Sequence, residues 1–366
     1  MTPDSGLASW LQLTLTPGLG AATIRGLLSQ FGLPDNVLAA RRTELARFAS
    51  AEALRALDSE AVAKAVERAL AWLEQSGNAL VTLADAAYPH LLLETADPPP
   101  LLYCRGRVEL LNRPALAVVG SRNATAQGAA NAEQFARNFS AAGLTIVSGL
   151  AQGIDAAAHR GGLAAEGSTI AVLGTGVDNV YPRANASLAE DIAIRGLLIS
   201  EFALGTQAFA HNFPRRNRLI SGLAQGCLVN EAALASGSLI TARSAAEQGR
   251  EVFAVPGSIH SPLSKGCHAL IKSGAKLVES AEDVLSELGA FRRTGFASTR
   301  SQAGVSGSAG NDGEPLLECM GFDPVDVDSL CARAGLPAER VAAELLRLEL
   351  AGRIAVLPGG LYQRLN

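Results

Sequence analysis

Apolar positions in the first 75 residues recur at helical spacing. Trp10, Leu11, Leu13 and Leu15 precede the run Thr16-Pro17-Gly18-Leu19-Gly20, and Ile24, Leu27, Leu28 and Phe31 follow it. That period predicts helices, and further helical stretches over 44–57 and 60–75 complete a small bundle, assigned to residues 1–78. From residue 79 the texture changes. Short, continuously apolar runs at 79–83, 115–119, 145–147, 169–173, 197–200, 227–230, 251–255 and 276–278 read as strands. Segments 129–142, 155–165, 238–248 and 268–273 between them have helical composition, and Pro98-Pro99-Pro100 marks a rigid extended entry. Fully apolar strands separated by helices imply a mostly parallel sheet covered on both faces. Residues 79–290 are therefore expected to form an extended, Rossmann-like, doubly wound α/β domain. Residues 291–314, rich in Gly, Ser, Ala and Arg with no apolar period, read as a flexible linker. Residues 315–366 recover a pattern: a helix over 325–334, a turn at Gly335-Leu336-Pro337, a helix over 338–350 and a hairpin over 353–364. Together these predict a winged helix.

Doubly wound sheets bind ligands beyond the carboxyl ends of their strands. That rim can be written from the sequence as Gly120-Ser121-Arg122, Ser148-Gly149, Gly174-Thr175-Gly176, Glu201-Phe202, Glu231 and Pro256-Gly257-Ser258. Net charge is −4, which argues against a protein basic all over, yet global charge hides local fields. No carboxylate occurs between Glu201 and Glu231, where Arg215, Arg216 and Arg218 cluster. None occurs between Glu251 and Glu279 either, a stretch holding Lys265, Lys272 and Lys276. Two acid-free stretches of this kind suggest one anion-binding face; chance spacing in an apolar region is the plainer explanation.

Within the rim, Gly120 permits a sharp turn, Ser121 offers a hydroxyl and an N–H, and Arg122 offers a bidentate fork for phosphate. Small residues at Ser148 and Gly149 allow a backbone to approach closely. The densest run is Phe213-Pro214-Arg215-Arg216-Asn217-Arg218. Pro214 suits a helix start, whose first N–H groups are free, and the arginines add charge for phosphates. Phe213 supplies a ring on which an unpaired base can stack, which favours single strands over a duplex. The bland alternative makes Phe213 a core residue and the arginines a solvated face. Asp155 and His159 share a helix face and could form an acid–base pair, but a structural hydrogen-bonding role fits them better because no third partner is visible. The Pro17-Gly18-Leu19-Gly20 turn resembles a helix-hairpin-helix element, whose bare N–H groups can hold a phosphate; plain helical packing fits it equally well. In the last domain, Glu339, Glu344 and Glu349 balance Arg340 and Arg347, so that helix gains little from phosphates and is expected to contact protein.

Other chemistries find little support. Gly174-x-Gly176 lacks the third glycine of a dinucleotide fingerprint, the position being Asn179, and no phosphate-loop motif ending in Gly-Lys-Ser/Thr exists. The five histidines are scattered and no Cys/His spacing suits zinc, so no metal or cofactor is expected. Five cysteines (Cys104, Cys227, Cys267, Cys319 and Cys331), odd in number and without a C-x-x-C pair, read as buried free thiols of a reducing compartment. With no apolar run of membrane-spanning length and no signal-peptide pattern at the start, a cytoplasmic protein with no membrane partner is expected.

Several motifs taken together resemble the DNA-processing protein A (DprA/Smf) family. They are Gly120-Ser121-Arg122, the run from Ser148 to Asp155 and on to His159, Tyr181-Pro182, Phe213 to Arg218, and Ser236 to Thr241 on through Ala254-Val255-Pro256-Gly257. The resemblance covers nearly the whole chain and extends to a SAM-like start and a winged-helix end. It implies a homodimeric single-stranded-DNA-binding protein without enzymatic activity, which protects incoming strands and loads the recombinase RecA in natural transformation and recombination. It also implies DNA contacts at Ser121, Arg122, Phe213, Arg215, Asn217 and Arg218, with backbone help from Gly120 and Gly149. Some members carry a lysine shortly before the Phe-Pro pair; residues 207–212 hold none, which leaves Lys265 and Arg216 as candidates to supply that charge. A competing possibility is a Rossmann-type nucleotide phosphoribohydrolase, which uses a Pro-Gly-Gly-x-Gly-Thr loop followed by a glutamate. The Pro358-Gly359-Gly360 here lies in the terminal hairpin, and Glu231 is the sole acid candidate. An NAD-dependent oxidoreductase is the third and weakest option.

Overall fold

The structure is a computed structural model that describes residues 3–289 and 314–365. The linker expected over 291–314 falls, Glu314 excepted, outside the described residues. Nine strands form one sheet: β1 (Asn78–Thr82), β2 (Leu101–Gly106), β3 (Ala115–Val119), β4 (Thr145–Ser148), β5 (Thr169–Val172), β6 (Leu197–Ser200), β7 (Gly226–Val229), β8 (Glu251–Ala254) and β9 (Lys276–Leu277). Their spatial order is β1-β2-β6-β5-β4-β3-β7-β8-β9. Pairing is parallel from β6 to β9, while β2 runs antiparallel to both β1 and β6. The order reverses at β3: the chain steps outward through β4, β5 and β6, then returns to lay β7 on the other side of β3. That switch point leaves a crevice at the carboxyl ends of β3 and β7.

Both faces of the sheet are covered, which is why its central strands carry no polar alternation. Ala115, Ala117 and Val119 of β3 belong to one core, beneath Leu219, Ile220 and Leu223 of the helix Asn212–Gly222 and Leu239, Ala242 and Ala245 of the helix Ser238–Glu247. Leu116 and Val118 face the other core, with Phe139 of the helix Ala126–Ala141 and Ile154, Ala157 and Ala158 of the helix Ile154–Leu163. The last two helices pack unusually close. A Cβ on Gly161 would lie 2.1 Å from the Glu133 carbonyl oxygen, so only glycine allows that approach.

The N-terminal helices Pro3–Leu15, Ala21–Phe31, Pro34–Ala39, Arg42–Leu45, Ala51–Ala56 and Glu60–Leu73 form a bundle with its own core around Leu13, Ile24, Leu27 and Leu45. It docks on the antiparallel end of the sheet, where Trp72 meets Tyr103 edge-on at 5.9 Å between ring centroids. The stretch expected as one helix over 44–57 is two: Ser50 caps the second by accepting the Ala53 N–H at 3.1 Å. A serine there competes with helix continuation and starts a new one. Strand β2 and the helix Ala281–Leu288 are additional to the sequence expectation.

At the C-terminus, β10 (Val325–Asp326), β11 (Ile354–Leu357) and β12 (Leu361–Arg364) form a three-stranded sheet beside the helices Val327–Ala334 and Ala338–Leu350, a winged-helix arrangement. The helix expected from 325 starts two residues later because Asp326 caps it, accepting the Ser329 N–H at 2.8 Å. Three of the five cysteines (Cys104, Cys227 and Cys267) are buried, and burial pushes each thiol up to about 12. Cys319 and Cys331 are half-buried. Among the described residues no helix is long and apolar enough to cross a membrane.

Gly161→Ala should lower unfolding free energy by about 1–3 kcal/mol, the usual cost of overpacking. Urea denaturation monitored by circular dichroism will read the shift in midpoint; an unchanged midpoint would show that the two helices are free to separate.

Candidate nucleic-acid interface

A cleft of about 470 Å³ occupies the crevice at the switch point, lined by Gly120 to Asn123, Phe213, Asn217 and Ser236 to Ser238. Gly120 is required there, since a Cβ would lie 2.6 Å from Ile154 and 2.9 Å from the Glu231 carbonyl. Ser121 is nearly buried: its N–H donates to the Glu231 carbonyl (2.7 Å), and its Oγ accepts the Asn123 N–H (3.2 Å). Arg122 is exposed and has no carboxylate within ion-pair distance among the described residues; its guanidinium sits 5.8 Å from the Phe213 ring centroid. An exposed, unpaired guanidinium beside an aromatic face is a ready phosphate ligand.

Helical phase divides the run 213–218. Positions 213, 216 and 217 share the side of the helix Asn212–Gly222 that meets the cleft, together with Ile220. Positions 215 and 218 lie on the other side, where both arginines pair with Glu201. Arg215 is 3.2 Å from Glu201 Oε2 and half-exposed, and its guanidinium also stands 5.4 Å from the Phe202 ring. Arg218 pairs with the same oxygen and lies 3.5 Å from Asp97 Oδ2. Glu201's side chain is 2% exposed; burial raises its pKa, and the Arg218 and Arg215 charges pull it back. Removing Arg218 would strand that charge, so Arg218 braces the fold and is not free to meet a ligand.

Arg216 is buried on the cleft side. It donates to the carbonyls of Gly149 (2.7 Å) and Val172, and to Asn217 Oδ1 (3.1 Å). Burial lowers its pKa to about 10, partly offset by Asp155, which leaves it charged at neutral pH. Asp155 is buried as well. Its Oδ2 accepts the N–H groups of Gly149 (3.1 Å) and Ala151 (3.4 Å); burial raises its pKa while the Arg216 charge and those N–H groups oppose the rise. Both backbone groups of Gly149 are thus engaged within the protein. Ser148 is fully buried and donates to the Val118 carbonyl at 2.7 Å. Lys265 is exposed, its ammonium donating to the Ile259 carbonyl.

Between Gly149 and Ala151, Leu150 holds φ at +57°, unfavourable for a leucine. His159 secures it: Nε2 accepts the Leu150 N–H at 3.2 Å, and Nδ1 lies 2.7 Å from Thr169 Oγ1. The Thr169 hydroxyl already donates to the Ile146 carbonyl (2.8 Å), so Nδ1 must carry the ring proton. Burial, helped by the Arg216 and Arg160 charges, depresses His159 to about 3, and the ring is neutral. Asp155 and His159 therefore do not bond to each other. Each instead clamps the backbone of the same loop.

Sequence reasoning passed over Tyr181 as a site residue. Its half-exposed ring lies 5.6 Å from Phe213, tilted by 44°. The signal available was an aromatic next to proline between two strand ends. It likewise passed over Asn123, Ser236, Gly237 and Ser238, the last opening the helix Ser238–Glu247 onto the cleft with no side-chain cap. Gly174 proves to seat Phe213, with no room for a Cβ, which would fall 2.8 Å from the ring. Among the described residues no cluster of His, Cys, Asp and Glu suits a metal.

His159 makes stability pH-dependent. Below the unfolded pKa near 6.5 the unfolded chain binds a proton that the folded site refuses until about 3, so this residue's contribution is full above pH 6.5 and falls as pH drops. Between pH 6.5 and 5 the loss should approach about 1.4 kcal/mol per pH unit. Urea titrations at the two pH values should show this loss in the wild type and a flatter response in His159→Gln; identical responses would remove the assignment.

Comparison with known proteins agrees with this geometry. The family described as DNA recombination-mediator protein A matches residues 79–289, and the DprA winged helix domain matches residues 305–360. Protein Smf of Escherichia coli is 45% identical over 307 residues, covering 83% of this chain and 82% of its own length. DNA processing protein DprA of Streptococcus pneumoniae is 50% identical over 206 residues, 56% of this chain and 73% of that protein. The X-ray structure of DNA processing protein A from Streptococcus pneumoniae superposes with a TM-score of 0.64 at 38% identity, covering 78% of this chain and 99% of that one. That of the Helicobacter pylori protein, described for its single-stranded DNA binding mode, gives 0.52 at 30% identity over 57% and 95%. With the cleft, the sheet order and these matches in agreement, the chain belongs to the DNA recombination-mediator protein A (DprA/Smf) family.

Proposed function

We propose that the protein binds single-stranded DNA in the switch-point cleft and catalyses no reaction on it. The observation that carries this is the exposed, unpaired Arg122 guanidinium beside the Phe213 ring. The one carboxylate lining the cleft, Asp155, is buried and occupied by backbone N–H groups. Phosphate and a stacked base are both served by this pair, and stacking requires a base not already covered in a duplex. Gly120, Ser121, Arg122, Phe213 and Asn217 form the contact set, and Arg215 and Lys265 supply charge at the rim. Ser148, Gly149, Arg216 and Arg218 hold the cradle in shape.

A hydrolase of nucleotides needs a carboxylate free to act and an open anion hole. Here both Glu231 oxygens take Thr125, through its N–H at 3.0 Å and its hydroxyl at 2.6 Å. The backbone N–H groups at the end of β4 are held by Asp155, a built-in anion. Both arrangements favour binding over catalysis.

In the wider setting, residues 79–290 act as the DNA-binding domain, flanked by the helical module 1–78 and the winged helix 315–366. The protein works in the cytoplasm as a homodimer, protects incoming single strands and loads the recombinase RecA during natural transformation and recombination. These roles are supported by family membership, by relatives named for DNA processing and by the Helicobacter pylori structure described for single-stranded DNA binding.

Gel-shift titrations with matched single- and double-stranded oligonucleotides should show preference for the single strand. Arg122→Ala should weaken that binding and reduce the slope of log K against log salt by about 0.7, one phosphate's worth on a single strand. Phe213→Ala should cost about 1–3 kcal/mol. Equal affinity for duplex, or an Arg122→Ala variant with unaltered affinity and slope, would overturn the proposal.

A further inference from the structure

Beside the main cleft lies a slot of about 140 Å³ lined by Arg122, Gln152, Tyr181, Pro182 and Phe213. We propose that this slot receives one nucleobase of the bound strand, turned inward from a backbone that follows the adjoining cleft, and that Tyr181 is a second stacking surface for it. The inference rests on the single-stranded-DNA reading above and adds the base site and its residues.

Size is the first support. Cavities of about 150 Å³ hold a single benzene-sized ring, whereas a whole nucleotide with sugar and phosphate needs more room. The slot and the cleft share Arg122 and Phe213, so a base in one and its phosphate in the other meet the same two residues. The surfaces are also right for a base. Phe213 cannot retreat, because Gly174 backs it without space even for a Cβ, and Arg216 stands 5.9 Å from its centroid. Tyr181 leans over it at 44°, so neither ring covers the other's face, and nearly half of Tyr181 is open to solvent at 49%. An exposed aromatic ring held beside a second ring and a free guanidinium offers stacking on one side and charge on the other. Gln152, exposed at the slot, supplies an amide that both donates and accepts. Such a wall suits any of the four bases and reads none, in keeping with binding that tolerates sequence.

The test crosses the protein side of the contact with the DNA side. Affinities are measured for oligo-dT and for a backbone of the same length built from abasic spacers, using wild type, Tyr181→Ala, Tyr181→Leu and Tyr181→Phe. The half-exposed position makes all three variants compatible with folding, which superimposed thermal melts will verify. Tyr181→Ala and Tyr181→Leu should bind oligo-dT about tenfold more weakly, Tyr181→Phe should stay within about twofold of wild type, and all four should bind the abasic strand alike. Equal binding of oligo-dT by Tyr181→Ala and wild type, or an equal loss on the abasic strand, overturns the base slot. If wild type binds oligo-dT and Arg122→Ala weakens it while the Tyr181 variants do not, only the slot falls. If wild type binds no single strand at all, the underlying DNA reading falls with it.

Discussion

Two buried charges at the ends of the central strands set the geometry on which the rest depends. Arg216 reaches across to the carbonyls of Gly149 and Val172, tying the helix Asn212–Gly222 to the ends of β4 and β5. Asp155 takes the N–H groups on either side of Leu150 from below. Neither charge is cheap to bury, and each offsets the other while satisfying backbone groups that would otherwise lack partners. The loop between them adopts a conformation that leucine disfavours and keeps it because His159 holds the remaining N–H. Rigidity at this point is what lets an exposed arginine and a phenylalanine on two different segments keep a fixed separation.

The family's basic run therefore has three tasks. Arg216 faces inward and fastens strand ends, Arg218 braces a buried glutamate, and Arg215 lies half in solvent between that glutamate and the Phe202 ring. The unpaired positive charge beside Phe213 comes from Arg122, on the other side of the sheet's switch point. A patch that looks like a single basic cluster in one dimension is mostly scaffold in three. The free charge sits where two strand-end loops meet.

Much of the fold was legible because its causes are local. Runs such as 115–119 and 145–147 are apolar at every position, and that pattern needs a sheet covered on both sides. Strand β2 escaped notice because it joins the sheet antiparallel, after a triple proline that reads as an extended entry. The break in the helix expected over 44–57 turned on one serine cap. At the site, the strand-end residues could be placed because topology sends them all to one rim. The partition of Arg215, Arg216 and Arg218 could not, since it depends on Glu201, a partner from a distant strand end. Spacing did contain half of it: residues three and four apart share a helical face, which groups 213, 216 and 217 and separates 215 and 218. Tyr181 was hidden for a similar reason, its neighbour Phe213 lying 32 residues away in the chain.

The seam between the N-terminal bundle and the sheet has a practical consequence. Both tryptophans of the chain, Trp10 and Trp72, are buried there, in the same apolar cluster as Tyr103 and Leu101. Near-ultraviolet excitation selective for indole therefore illuminates only this junction. The molecule carries an internal optical gauge of whether its helical head stays seated, one whose chromophores line neither the cleft nor the slot where the strand is proposed to lie.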